Sequence, residues 1–306
     1  MRARLMVLAA AVLFSTGGAA IKATSLSGWQ VASFRSGFAA LALLAFLPRS
    51  RRLPTSPMWL VGVVYAATLV LFVTATKLTT SANAIFLQDT SPLYVLLLSP
   101  FVLGERVRRA DVLFRLALAA GLLAFFFGHH QPLDTAPNPF LGDLVATACG
   151  VTWATTIIGL RWLGTRDKDA EATQPALVAG NVLAFFAALP FALPVTATTT
   201  TDWAIVLYLG VIQIGLAYVC FSIGMAGVPA IEASLLLLLE PVLNPLWSWL
   251  VHGEVPRRWS LIGGAIILCA TAARKLWDAR APSSRMDADR LVTGQRGSRT
   301  DQHGSE

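Results

Sequence analysis

Runs of about 20 apolar residues recur along the chain, separated by short polar segments. An α-helix rises 1.5 Å per residue, so about 20 residues cross the hydrocarbon core of a bilayer, which is about 30 Å thick. Only helices and closed barrels span that core, and the alternating strands of a barrel, about ten residues long, are missing from the pattern. The pattern therefore predicts an all-α membrane protein with ten transmembrane helices, at residues 5–24, 29–47, 58–76, 82–103, 111–128, 140–161, 175–194, 203–223, 231–251 and 259–275.

Composition argues against a water-soluble fold. Of the 306 residues, 55% are hydrophobic and 13% are charged, and the mean hydropathy is +0.63, whereas soluble domains carry roughly 25% charged residues. The net charge of +7 lies in short basic clusters between apolar runs, which indicates membrane topology and no nucleic-acid partner. The three cysteines lie inside apolar runs, so we expect neither a disulfide framework nor a metal site, and no cofactor.

Lysine and arginine residues concentrate on one side of the predicted topology. With the N-terminus in the cytoplasm, the opposite side holds only Lys77 and the pair Arg257–Arg258, and this bias predicts that both termini are cytoplasmic. Residues 276–306 are charged and poor in aliphatic side chains, which predicts a disordered cytoplasmic tail. Residues 1–20 have the layout of a signal peptide, but apolar character resumes at residues 21–23, so we expect a retained first helix.

The chain repeats itself at a fixed offset. Pro92 falls on Pro241, and the pairs Gly104–Glu105 and Arg108–Arg109 fall on Gly253–Glu254 and Arg257–Arg258. Each copy holds five predicted helices, an odd number, so the second copy enters the bilayer from the opposite side. This predicts two inverted repeats, residues 1–128 and 140–275, an arrangement used by alternating-access transporters.

The repeated segments also resemble a known family. Residues 78–109, with the sequences Thr-Ser-Pro-Leu and Leu-Gly-Glu, and the later Leu-Glu-Pro-Val followed by Gly-Glu resemble the two units of the EamA family in the drug/metabolite transporter superfamily. Phe14-Ser15-Thr16 resembles the first-helix element of that family. The resemblance implies a ten-helix permease of a bacterial-type inner (plasma) membrane with a central cavity, exporting amino acids or related metabolites, and leaves monomer or homodimer open.

Polar residues inside the predicted spans are the candidate substrate-binding groups. Glu240 lies near the membrane midplane, where an ionised acid costs about 2.5 to 3.5 kcal/mol, and Asn244 and Ser248 continue its helix face. Pro241 and Pro245 free backbone carbonyls beside this stripe, as a binding feature or a packing kink. Gln88 and Asp89 occupy the equivalent fourth helix, where Asp89 points about 100° away from Gln88 and contacts either the cavity or a neighbouring helix.

Basic and aromatic residues complete the candidate set. Arg35 and Lys22 are candidate counter-charges for these acids: Arg35 either pairs with an acid or contacts the substrate, and Lys22 also has the reach to snorkel to the interface. Gln213 and Tyr218 add polar groups in the eighth helix. Phe14 and Trp153 both resemble cavity aromatics of the family, and the resemblance implies that they line the cavity. The complete predicted substrate-binding set is Ser15, Arg35, Gln88, Asp89, Trp153, Gln213, Tyr218, Glu240 and Asn244.

Two further features are interpreted as scaffold. Glu105 and Glu254 end equivalent helices, and we expect them to form salt bridges or fix the following turn. The spacings Ala120-xxx-Ala124-xxx-Gly128 and Ala265-xxx-Cys269-xxx-Ala273 are small-residue faces suited to close helix packing.

Among function classes, a secondary transporter of a small amphipathic metabolite such as an amino acid fits best. Its energy source stays open between proton coupling through Glu240 and the substrate gradient alone. A drug or other metabolite permease of the same superfamily is an alternative, and an intramembrane enzyme built on an Asp89/Glu240 acid dyad is a remote one, because zinc-protease and Gly-x-Ser-x-Gly motifs are missing from the sequence. No filter repeat favours a channel, and no phosphate-binding loop favours an ATP-driven pump.

Overall fold

The structure, a computed structural model, describes residues 1–102, 109–127, 132–166, 173–196 and 198–280. The described residues form helices joined by short loops and contain no β-strand, which confirms the all-α class. The α-helices are α1 Arg2–Ser15, α2 Gly17–Ala23, α3 Gly28–Phe46, α4 Ser56–Leu78, α5 Ser81–Gln88, α6 Ser91–Val102, α7 Arg109–Ala124, α8 Pro139–Arg166, α9 Thr173–Ala192, α10 Thr200–Leu207, α11 Ala217–Met225, α12 Ala230–Leu236, α13 Leu239–His252 and α14 Arg258–Arg280.

Eight helical stretches among the described residues are long and apolar enough to cross a membrane. They are Arg2–Ala23, Gly28–Phe46, Ser56–Leu78, Pro139–Gly164, Thr173–Ala192, Thr200–Met225, Glu232–His252 and Arg258–Trp277. A shorter apolar helix covers Val112–Ala124, and the predicted span 82–103 is present as the two pieces α5 and α6. The chain is therefore a multi-pass membrane protein.

The predicted C-terminal tail begins too early. Helix α14 continues to Arg280, so residues 276–280 are helical and not part of an irregular tail. Residues 281–306 and the predicted scaffold residue Glu105 lie outside the described part of the chain.

Two helices are interrupted at corresponding places. The break between α5 and α6 falls at Asp89–Thr90, and the break between α12 and α13 falls at Leu237–Leu238. Proline lacks an N–H and clashes with the carbonyl four residues before it. For Pro92 that carbonyl belongs to Gln88 and for Pro241 to Leu237, so each proline breaks its helix one turn earlier.

The helices pack in a network that mixes the first half of the chain, α1 to α7, with the second half, α8 to α14. Helix α4 contacts α8 and α9, α3 contacts α9, α1 contacts α11 and α13, and α5 contacts α13. Helix α7 packs on α14 at the edge of this group. Each of these pairs joins a helix of one half to a helix of the other, so neither half encloses a core alone.

Glycines allow the closest helix contacts, and their positions correct the predicted packing faces. A Cβ atom at Gly263 of α14 would lie 2.7 Å from the carbonyl oxygen of Gly121 in α7. Residues Ala265, Cys269 and Ala273 are exposed instead. The prediction that Ala265, Cys269 and Ala273 form the packing face of α14 is therefore wrong, because the close contact with α7 lies at Gly263.

The helix bundle has two ends. At one end, α2, α4 and α13 end and α5 and α8 begin; we call it the Lys22 end. At the other end α1 and α12 begin, and Arg4 pairs there with Glu232 at 2.5 Å; we call it the Arg4 end. Helix α1 with α2 runs from one end to the other.

Candidate functional site

A cavity of about 220 Å³ lies in the middle of the bundle, between the broken helices and helices α3, α4, α8 and α11. Seven of the nine residues in the predicted substrate-binding set line it, and their role in binding stays a prediction. They are Arg35, Gln88, Asp89, Trp153, Gln213, Tyr218 and Glu240. We call this space the central cavity.

A second cavity of about 530 Å³ adjoins the first. Asp89, Trp153, Leu237 and Glu240 line both spaces. The second cavity is also lined by Arg274, Lys275 and the exposed Arg161, all near the Arg4 end. The second cavity therefore lies between the central cavity and the Arg4 end, and we call it the vestibule.

Gln88 and Asp89 both line the central cavity, although successive side chains on a helix diverge by about 100°. Helix α5 ends at Gln88, and Asp89 is its C-cap residue. Glu240 follows the equivalent break, in the first turn of α13.

Aromatic side chains form the walls of the central cavity. The hydroxyls of Tyr65 and Tyr218 are hydrogen-bonded at 3.0 Å. The ring of Phe14 meets the ring of Tyr218 edge-on at 5.3 Å, and Tyr65 lies 6.4 Å from Trp153, measured between ring centroids. These walls suit a ligand with an apolar or aromatic part, held by a few polar groups.

The charged groups of the cavity are unpaired with one another. Among the described residues, neither Asp89 nor Glu240 forms a salt bridge, and Arg35 forms none although it lines the same space. Arg35 is 3% exposed, and its Nε atom has no hydrogen-bond partner in the described part of the chain. The prediction that Arg35 neutralises the acids by direct pairing is thus wrong in this structure.

A π-helical segment positions Gln213, a local feature that the apolar pattern did not indicate. Residues Tyr208–Leu216 form this wider helix between α10 and α11. Gln213 Nε2 donates to the carbonyl oxygen of Phe14 at 3.2 Å, and the side-chain oxygen of Gln213 has no partner among the described residues. Wider turns of this kind occur frequently at functional sites.

Ser15 and Asn244 lie outside both cavities, contrary to prediction. Ser15 Oγ donates to the carbonyl oxygen of Val12 at 2.7 Å and accepts from Trp247 Nε1 at 2.9 Å. Asn244 is buried and accepts a hydrogen bond from Ser81 Oγ. Asn244 lies one turn beyond Glu240, where α2 packs against α13.

The Lys22 end is closed by a buried ion pair. Lys22 Nζ lies 3.2 Å from Glu254 Oε2, and the two side chains are 3% and 1% exposed. Lys22 also donates to the carbonyl oxygen of Thr79 at 2.8 Å, and Glu254 Oε1 accepts from the backbone N–H of Ser81 at 2.5 Å. Lys22 therefore pairs with Glu254 rather than with Asp89 or Glu240, and Glu254 has the salt-bridging role expected of it.

The backbone conformation of Gly253 positions the Gly–Glu motif. Gly253 ends α13 with a left-handed conformation, φ 66°, which glycine adopts without a steric penalty. This turn redirects the chain inward, so that the Glu254 side chain meets Lys22 and the start of α5.

Two aspartates extend the closure and were missed by sequence reasoning. Asp202 accepts hydrogen bonds from Thr24 Oγ1 and Ser25 N, both at 2.7 Å. Asp143 is buried and accepts from Thr79 Oγ1 at 2.6 Å and from Asn83. The spacing Thr199-xx-Asp202 is a capping-box signature and could have indicated a helix start, but not the partners of Asp202 in the loop after α2.

The comparisons with known proteins agree with this architecture. A model of the EamA-like transporter family matches residues 1–127 and 140–273. An uncharacterized transporter of Archaeoglobus fulgidus is 28% identical over 86% of this chain and 92% of its own length. The pseudopaline exporter CntI of Pseudomonas aeruginosa is 28% identical over 88% of this chain and 94% of its own, and the aromatic amino acid exporter YddG of Ancylobacter novellus is 27% identical over 67% and 70%.

A solved crystal structure of a protein shares the fold. It superposes with a TM-score of 0.62 at 25% sequence identity, covering 92% of this chain and 98% of its own. The similarity therefore extends over both halves of the helical bundle.

Proposed function

The chain belongs to the EamA-like transporter family, and on that premise we propose that it is a secondary transporter that exports a small amphipathic metabolite, such as an amino acid, by alternating access. The observation that carries this proposal is the central cavity. There an arginine and two acids, none of them in a salt bridge within the described residues, face one aromatic-walled space inside the membrane. Both signs of charge suit a zwitterion.

Two features support a ten-span architecture of inverted repeats. When the two halves are aligned so that Pro92 falls on Pro241, the α5–α6 break falls one position away from the α12–α13 break. This alignment also exchanges the contact of α1 with α11 for that of α8 with α4, and leaves the pairs α3–α9 and α7–α14 unchanged. A pseudo-two-fold axis in the membrane plane produces this exchange.

The cavity geometry corresponds to one state of the proposed cycle. The vestibule lies between the central cavity and the Arg4 end, whereas the buried ion pair lies at the Lys22 end. With both termini in the cytoplasm of a bacterial-type plasma membrane, as the charge bias predicts, this is a state open to the inside. A substrate entering from the cytoplasm would then meet Asp89 and Glu240 before it reaches Arg35.

The relatives support export of an amino-acid-like compound over the alternative of a lipophilic drug. One is an exporter of pseudopaline and another an exporter of aromatic amino acids. Neutral drug binding would leave the charges of the central cavity buried without partners, which costs free energy in a low-dielectric site. The low sequence identity to these relatives leaves the individual substrate to experiment.

Transport by reconstituted protein tests the proposal. Proteoliposomes preloaded with a mixture of amino acids are assayed for counterflow of each labelled compound. Glu240→Gln should lower the initial rate by about tenfold or more, because a charge-assisted hydrogen bond contributes about 1.5 to 3 kcal/mol. Glu232→Gln is the matched control, since Glu232 belongs to the preceding helix and pairs with Arg4 outside both cavities.

The same assay addresses energy coupling. If Glu240 carries a proton, an imposed pH gradient accelerates transport by the wild-type protein and has no effect on Glu240→Gln. Equal rates in Glu240→Gln, Glu232→Gln and wild type would remove Glu240 from the mechanism. An absence of counterflow for every metabolite and drug tested would contradict the transporter assignment itself.

A further inference from the structure

The buried guanidinium of Arg35 lacks a salt bridge to any other described residue. It is the eighth residue of α3, roughly 10 Å from the start of that helix at 1.5 Å per residue. Its side chain is 3% exposed, and its Nε has no partner among the described residues. A guanidinium inside the membrane costs about 2.5 to 3.5 kcal/mol on insertion scales, and the described part of the chain offers it no salt bridge.

The groups that face Arg35 are also suited to an oxyanion. A hydroxyl pair holds two hydrogens, and the hydrogen bond between Tyr65 and Tyr218 uses one of them. The remaining hydroxyl hydrogen is available to a third oxygen. Gln213 lines the same space, and its side-chain amide has two N–H donors, of which the hydrogen bond to the Phe14 carbonyl oxygen uses one. A planar guanidinium matches a carboxylate through two parallel hydrogen bonds, which a neutral amide cannot accept with comparable strength.

The two acids lie at the opposite side of this space. Asp89 and Glu240 line the boundary with the vestibule, whereas Arg35 lines the central cavity alone. Lys275, a basic group of the vestibule, is already engaged with the carbonyl oxygen of Ser234 at 2.7 Å. The charges are therefore separated along the path: basic groups line the vestibule, the two acids lie at its boundary with the central cavity, and Arg35 lies in the central cavity.

We propose that Arg35 is the carboxylate-binding residue of the central cavity, and that the transported molecule enters with its carboxylate leading and its ammonium held at Asp89 and Glu240. This inference rests on the proposed export function and narrows it to carboxylate-bearing substrates. Cationic amines and carboxamides of the same size are rejected, because they leave the Arg35 guanidinium buried without an anion.

Matched ligand pairs test this assignment on the purified full-length protein. Thermal unfolding is measured with each of the standard amino acids and with its carboxamide, and dissociation constants are fitted for those that stabilise the protein. Wild type should bind at least one acid about tenfold or more tightly than its amide, because hydrogen bonds to charged groups exceed the free energy of a tenfold change. Arg35→Gln should bring that ratio close to one.

A second arginine serves as control. Arg115 of α7 also lies in an apolar helix, donates to the carbonyl oxygen of Leu96 at 2.5 Å, and lines neither cavity. Arg115→Gln should retain the acid-to-amide ratio of wild type even if it lowers the unfolding temperature. A merely structural role of Arg35 would weaken acid and amide equally in Arg35→Gln.

The outcomes separate this inference from the proposed function. Equal affinity of wild type for acids and amides, or failure of every acid to stabilise it, overturns the role of Arg35 without the need for a variant. Counterflow of amino acids with no acid-to-amide preference would leave the exporter standing and reject the carboxylate subsite. Loss of preference confined to Arg35→Gln supports it.

Discussion

The buried pair Lys22–Glu254 should be among the most expensive interactions to break in this protein. In Lys22→Met, the carboxylate of Glu254 keeps its hydrogen bond from the Ser81 backbone but loses its counter-ion in a site where its side chain is 1% exposed. Removing one member of a buried ion pair costs about 3 to 5 kcal/mol. We expect Lys22→Met to lower the free energy of unfolding by that amount.

The second single variant and the double variant give the coupling energy. Glu254→Gln still offers an oxygen to the Ser81 N–H, and its stranded Lys22 ammonium keeps two carbonyl acceptors, Thr79 and Thr135. Its loss should be smaller than that of Lys22→Met. The double variant Lys22→Met/Glu254→Gln removes both charges, so its loss should fall short of the sum of the single losses by about 0.5 to 3 kcal/mol.

Equilibrium unfolding of the purified protein in mixed micelles, followed by circular dichroism, provides the measurement. Arg4→Met is the matched control, because the Arg4–Glu232 pair has side chains 63% and 33% exposed, and exposed pairs contribute about 0.2 to 1 kcal/mol. A loss in Lys22→Met no larger than that in Arg4→Met would refute the reasoning, as would strict additivity in the double variant.

Two glycine substitutions test the geometry at the Lys22 end by the same unfolding assay. Gly253→Ala meets no atom within 4 Å, so its expected loss of about 1 to 2 kcal/mol comes from the left-handed backbone alone, and a value near zero would contradict the φ of 66°. Gly18→Ala places a Cβ in overlap with Ser81 Oγ and 2.6 Å from Asn244 Oδ1, which should cost about 1 to 3 kcal/mol. Gly164→Ala, in open space, is the control for Gly18→Ala and should show no loss.

Much of the helix content could be predicted because every transmembrane helix needs about 20 apolar residues to cross the hydrocarbon core. The observed helices Gly28–Phe46 and Thr173–Ala192 lie within a few residues of the predicted ranges. The family could be recognised because its Gly–Glu motif is also local in the sequence. The Gly–Glu unit depends on a local turn at Gly253, so its signal is contained in adjacent residues.

The partners of the charged residues could not be predicted, because they depend on which helices become neighbours. Opposite charge alone predicts that Lys22 pairs with the midplane acids. The fold instead brings α2 to the end of α13 and so places Lys22 next to Glu254. The faces of broken helices present the same difficulty. A regular 3.6-residue period placed Asn244 on the face of Glu240, but the crossing of α2 covers that face one turn further on.

The helix breaks at Asp89–Thr90 and Leu237–Leu238 lie next to the two acids of the central cavity. A ligand bound there would therefore rest on two interrupted helices, while its other end reaches the uninterrupted helix α3. Bending at either break would change the distance between these contacts. A substrate of a given length would then favour one bend angle over another. The size of the substrate would thus be linked to the conformational change through the distance between the two acids and α3.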